Sequence, residues 1–181
     1  MDYNEQIRLI RKSFFAYRNG IIADSLRRCN DPHKSIMGCQ WIDIMAIARE
    51  VPQDAVLAEK LWEIKDSREC RMIATLLYPV SQLDEETAVM WAKDVESDEI
   101  ADILCQALLG KMANSLQVFY KLLSLDDGKY DYIAFRLLQN IIKRGNASMT
   151  AELAAMVKSK LPTSSKRVQG ILADLLEDCQ Q

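Results

Sequence analysis

The chain has 181 residues, 49% of them hydrophobic and 27% charged, with a formal net charge of -3. That is the profile of one ordinary globular domain over 1–181 with a sizeable core. No apolar run approaches the ~18 residues of a membrane span, and the opening MDYNEQIRLIRK carries charges where a secretory signal carries an apolar stretch. Cys29, Cys39, Cys70, Cys105 and Cys179 are odd in number, scattered and never in a CxxC pair, which argues against a zinc site and a disulfide framework and predicts a reducing, cytoplasmic location. The lone histidine, His33, excludes any chemistry that needs two imidazoles, and its DPHK setting predicts a solvated loop. Gly-rich phosphate loops and the GxSxG elbow are absent, so no cofactor and no metal are expected.

Period-two alternation is nowhere sustained, and helical spacing is everywhere. A first helix opens after Asp2, with Glu5 three residues on as a capping box, puts Ile7, Ile10, Phe14 and Tyr17 on one face, and stops at Gly20. A second spans Ile21 to Cys29 and ends at Asn30-Asp31-Pro32. A third runs from Cys39 to Val51, with Trp41, Ile44, Met45 and Ala48 inward and Pro52 past its end.

From there the chain repeats. Caps at Asp54, Asp84, Asn114 and Ser148 open the first helix of four successive pairs. Asp66, Ser97, a point near Lys129, and Ser164 open the second. Both series advance by roughly thirty to thirty-four residues, the scale of helix-pair repeats. Leu61 to Glu69 and Met90 to Glu99 share a tryptophan followed by a polar turn and a serine helix start. One amphipathic pair cannot bury its apolar face alone, so neighbours stack. The expected core is Leu57, Leu61, Ile73, Leu76, Leu77, Val89, Ile100, Ile103, Leu104 and Leu108, continued by Phe119, Leu122, Ile133, Leu137, Ile141, Leu153, Val157, Ile171, Leu172 and Leu175. Met90, Met112, Met149 and Met156 are expected to fill gaps in it. The predicted fold is all-α, an α-α superhelix of stacked antiparallel helix pairs of HEAT-like or ARM type, with a plain bundle as the alternative.

Charge is uneven along this repeat. Asp84 to Asp102 holds eight acidic residues against Lys93, whereas Lys129 to Arg167 holds eight basic residues against Asp131 and Glu152. A basic stretch of this kind either tracks a phosphate backbone or is the solvated outer face of amphipathic helices.

The stretches FFAYRNGIIADSLRRC, KSIMGCQWIDIMAIARE and LAEKLWEIKDSRECRMIATLLYP resemble the DNA alkylation repair family of HEAT-like repeat glycosylases, especially its short bacterial members. The landmarks are Met37-Gly38, Ile47-Ala48, Leu57-Ala58, Leu61-Trp62, Arg68-Glu69, Ala74 and Leu76-Leu77-Tyr78-Pro79. Trp91 and the segment to Leu109 continue the match, and the C-terminal third matches in helical pattern only. The resemblance implies release of cationic N-alkylated purines without base flipping, using an acidic residue beside the deoxyribose and aromatic contacts to the lesion's backbone. It puts Asp102 in the catalytic place of the segment Asp98-Glu99-Ile100-Ala101-Asp102, with Arg136 as the equivalent of the family's site arginine. Asp98 stands where the enzymes carry an aromatic residue, and no tryptophan follows Trp91. Asp98 and Glu99 suit the first turn of a helix through its dipole alone. Asp102 is open to either role.

The partner so implied is duplex DNA with alkylated bases, held by Arg136, Lys143, Arg144, Lys158, Lys160, Lys166 and Arg167. The other class is a non-catalytic helical-repeat module for a protein or peptide.

Overall fold

A computed structural model describes residues 2–125 and 128–177. Cys179 lies outside the described residues. Among these, eleven α-helices and two short 3-10 turns account for the regular structure. Among the described residues no strand occurs beyond one isolated bridge between Ser35 and Ser67. The helices are packed in pairs of the kind a helical-repeat superhelix stacks, and none is long and apolar enough to cross a membrane. The chain divides into two compact units, Met1–Leu83 and Asp84–Gln181.

The first unit holds α1 (Tyr3–Ala16), α2 (Gly20–Arg28), α3 (Trp41–Arg49), α4 (Ala55–Trp62) and α5 (Arg68–Leu77). Ile10 and Phe14 anchor α1 in the core, but Tyr17 lies past its end and is exposed. The Asp2 capping box does not form, because Glu5 turns to Arg8 at 2.6 Å instead. Gly20 does not end α1. It opens α2, whose first N–H groups are taken by the Asn19 side chain. In α3 the buried residues are Ile44 and Ile47, while Trp41, Met45 and Ala48 are half-buried. Asp54 caps α4, as expected. Ser67, one residue after the expected Asp66, caps α5 by accepting from the Cys70 N–H, and Asp66 instead meets Lys34.

α5 lies on α4 and α3, and the segment 33–40 runs along it. That position buries three charged side chains near the start of α5. Glu69 and Arg71 are 0% exposed and Arg68 only 3%. Burial of charge demands compensation, and each of the three has polar or ring partners, although the Arg71 Nε finds no hydrogen bond among the described residues. Glu69 accepts from the Met37 and Gly38 N–H groups and from Arg68 Nη1 at 2.9 Å, and Arg68 also donates to the Cys39 carbonyl. Arg71 lies 3.8 Å over the Trp62 ring and donates to the Trp62 carbonyl. His33 is buried rather than solvated, with Nδ1 2.7 Å from Asp31 Oδ1. The reason is that its loop is pressed onto α5 by Ser35, whose N–H donates to Asp66 and whose carbonyl accepts from Arg68.

Gly38 sits in this segment at φ +77°, with space for no side chain: a Cβ would stand 2.1 Å from the Asn19 carbonyl oxygen. Gly38→Ala therefore combines a left-handed backbone with an overlap against backbone atoms. It should cost about 2–4 kcal/mol, visible as a lower midpoint in urea unfolding. An unchanged midpoint would contradict the close approach.

The second unit holds α6 (Glu85–Lys93), α7 (Asp98–Ala107), α8 (Ser115–Leu123), α9 (Asp131–Lys143), α10 (Ala151–Lys160) and α11 (Lys166–Glu177). Asp84 and Ser97 cap α6 and α7 as expected. Asn114 precedes α8 without a side-chain cap, and Thr150 rather than Ser148 caps α10. The first helices meet as α6 on α8. The second helices form a row in which α7 packs on α9 and α9 on α11. Phe119 and Phe135 meet edge-on across α8 and α9 at 5.9 Å. Eighteen of the twenty predicted core side chains in the two units are buried; Leu76 and Val89 are only half-buried. Met112 fills the core, whereas Met90 points outward and is exposed, because the buried face of α6 is taken by Ala88, Trp91 and Ala92.

Burial also sets thiol chemistry. It pushes Cys39 up to about 12, with Glu69 adding to the effect, and Cys70 to about 11; it raises Cys105 as well. Cys29 is the exposed free thiol among the described cysteines. Of those four, Cys29 should be alkylated first by iodoacetamide at pH 8, since the thiolate is the nucleophile. Peptide mapping that finds Cys70 modified as fast as Cys29 would contradict this packing.

Candidate functional site

The row α7–α9–α11 carries a line of polar side chains, accessible except at the buried Gln139. On α7, Asp98 and Asp102 lie four residues apart and so on one face. On α9, Tyr132, Arg136, Gln139 and Lys143 fall on one stripe, and on α11 Arg167 and Asp174 do the same.

The centre is Asp102. Its Oδ1 accepts from Arg136 Nε at 2.7 Å and from the Tyr132 hydroxyl at 3.0 Å, and its Oδ2 lies 3.2 Å from Arg136 Nη2. This two-point grip of guanidinium on carboxylate fixes the plane of both groups. Arg136 is steadied in turn, since Nη1 donates to Gln139 at 2.8 Å and Gln139 donates to Asp174 at 3.3 Å. Burial works against the Arg136 charge, yet its hydrogen bond to Tyr132 and the Asp102 charge hold its pKa above the usual value. Burial, aided by Asp102, raises the Tyr132 phenol, which therefore stays protonated as a donor. The Asp102 side chain keeps 42% of its exposure and Arg136 26%. A ligand from solution can thus reach the carboxylate without any unfolding.

A second pair adjoins it. Arg167 Nη1 donates to Asp98 at 2.7 and 3.0 Å, and its guanidinium stands 5.1 Å over the Tyr132 ring. Arg136 stands 5.7 Å over the same ring. One tyrosine therefore joins the two ion pairs.

Of the residues picked from sequence, Asp102, Arg136 and Arg167 come together here. Lys143 is exposed on the same stripe of α9 as Arg136. Arg144 donates to the Gln106 carbonyl at 2.7 Å, near the end of α7. Lys160 turns to Asp131 at 3.5 Å, at the start of α9. Lys158 and Lys166 are exposed and stand outside the network. Asp98 is not only a helix-start carboxylate, because it holds Arg167. Sequence reasoning missed Tyr132 as a partner of Asp102, together with Gln139 and Asp174. A signal for them was present: Tyr132 and Arg136 lie 30 and 34 residues beyond Asp102, and Asp174 lies 35 beyond Gln139, each about one repeat.

The described helices thus pack in pairs consistent with a helical-repeat superhelix, and a paired carboxylate stays solvent-accessible on the row of second helices. The family model described as DNA alkylation repair enzyme matches residues 10–179, and the chain belongs to that family. Neither the curated proteins nor the solved structures contain a match to it.

Proposed function

We propose that this HEAT-like repeat chain, acting as one domain, binds alkylated duplex DNA along the α7–α9–α11 edge and excises cationic N-alkylated purines, with Asp102 as the catalytic carboxylate. The observation that supports this reading is the exposed Asp102 held at two points by Arg136 and hydrogen-bonded to Tyr132. A positively charged purine is already a good leaving group. The remaining need is a fixed negative charge beside the deoxyribose as its oxocarbenium ion develops. Tyr132 and Arg136 orient that charge before substrate arrives. Lys143, Arg144, Lys158, Lys160, Lys166 and Arg167 then supply phosphate contacts. A cytoplasmic, bacterial setting goes with this reading, as do the free thiols.

A second reading, a non-catalytic module for a protein or nucleic-acid partner, is favoured by two observations. Arg136, Arg167 and Lys160 are paired with the chain's own carboxylates, and no tryptophan stands on α7, α9 or α11. The test is affinity for a duplex bearing an abasic analogue as salt is raised. With about six phosphate contacts, affinity should fall on the order of 1,000-fold between about 50 and 200 mM salt. Affinity that is absent or indifferent to salt would overturn DNA binding and favour a protein partner.

A further inference from the structure

Asp98 and Arg167 lie 69 residues apart in sequence, yet Arg167 Nη1 meets both Asp98 oxygens, at 2.7 and 3.0 Å. Neither group is buried: the arginine side chain is 60% exposed and the aspartate 47%. The guanidinium is placed independently by its position 5.1 Å over the Tyr132 ring, and that same tyrosine donates to Asp102. An arginine set over an aromatic face, open to solvent and next to the anchored carboxylate, is built to take an oxyanion. In the free protein it holds one, a carboxylate with the charge and acceptor geometry of a phosphate edge.

We propose that Arg167 on Tyr132 is a phosphodiester seat and that Asp98 is its internal stand-in, displaced when the DNA backbone arrives. This rests on the DNA-binding reading above and adds to it a self-competing contact that sets affinity. The exchange is easy for three reasons. The displaced carboxylate remains at the first residue of α7, where the helix N-terminus still favours its charge. Arg167 keeps its position over the ring. A solvated ion pair of this kind also holds its partners by no more than about a fivefold factor in equilibrium constant. The stand-in therefore tunes binding without blocking it. It favours ligands that offer a doubly contacted phosphate over those that offer only a diffuse negative field.

The experiment is a double-mutant cycle on the full chain, read as affinity for a duplex with an abasic analogue at low salt. Asp98→Asn should tighten binding about threefold to fivefold, the factor by which the pair holds, and Arg167→Gln should weaken it. In the Arg167→Gln background, Asp98→Asn should change affinity by less than about twofold, because the seat it blocked is gone. An equal gain from Asp98→Asn in both backgrounds would mean simple repulsion of DNA by Asp98, and would overturn the stand-in. No gain in either background would also overturn it. If Arg136→Gln weakens binding while Asp98→Asn is neutral, the stand-in falls and DNA binding survives. If no variant binds DNA, both fall. Thermal melts of each variant separate these outcomes from loss of fold.

Discussion

Asp102→Asn should lower release of alkylated base from methylated duplex DNA by about 100-fold or more, while affinity for the same duplex holds or rises. Asparagine keeps the shape and still offers an oxygen to Tyr132 and Arg136, so the fold of the α7–α9 contact is retained. What it removes is the negative charge that the oxocarbenium-like transition state needs. The opposite signs of the two effects are the useful part. If the edge binds DNA as proposed, removing a carboxylate from it relieves repulsion, whereas removing a catalytic charge raises the barrier. Equal release by wild type and variant would discard catalysis at Asp102. No release by wild type would leave the binding-module reading. Arg136→Ala should also depress release, because the carboxylate then loses both points of its grip, and it should weaken binding as well. That makes Asp102→Asn the cleaner of the two.

Glu69→Ala should destabilise the chain by about 3–5 kcal/mol, a fall in Tm on the order of 10 °C for a protein of this size. Glu69 is fully buried and serves three donors: the N–H groups of Met37 and Gly38 and the Arg68 guanidinium. Truncation takes the Glu69 carboxylate away from the buried Arg68 guanidinium and from two backbone donors, which is costlier than replacing the pair as a whole. Glu69→Gln should cost less, since an amide oxygen can still accept from one or two of these donors. The double change Arg68→Met with Glu69→Leu should recover only part of the loss, because the Met37 and Gly38 N–H groups remain unserved. Thermal melts of the three variants check this order. A loss under about 1 kcal/mol for Glu69→Ala would show that the segment 33–40 does not depend on the carboxylate.

The helix starts at Asp54, Asp84 and Ser97 and the buried faces built on Leu57, Ile100, Leu137 and Leu172 could be read directly from the residue order. A cap bonds three residues ahead and an apolar face recurs every three to four, so both signals are local. The family resemblance rested on residue landmarks such as Met37-Gly38, Leu61-Trp62 and Leu76-Leu77-Tyr78-Pro79, and the match over 10–179 bears it out. The candidate carboxylate Asp102 and its arginine were named from that resemblance. Their contact, and the entry of Tyr132, Gln139, Asp98 and Asp174, depended on how α7, α9 and α11 lie against one another.

The same division explains the misplacements. His33 reads as a solvated turn. It is buried because the loop before α3 folds onto the start of α5. Met90 shares the spacing of core methionines, yet α6 turns its buried face to Ala88, Trp91 and Ala92. Local periodicity states which side chains share a helix face, because that follows from 3.6 residues per turn. Which face meets another helix, and which charges that meeting brings within 3 Å, is decided by packing among segments thirty or more residues apart.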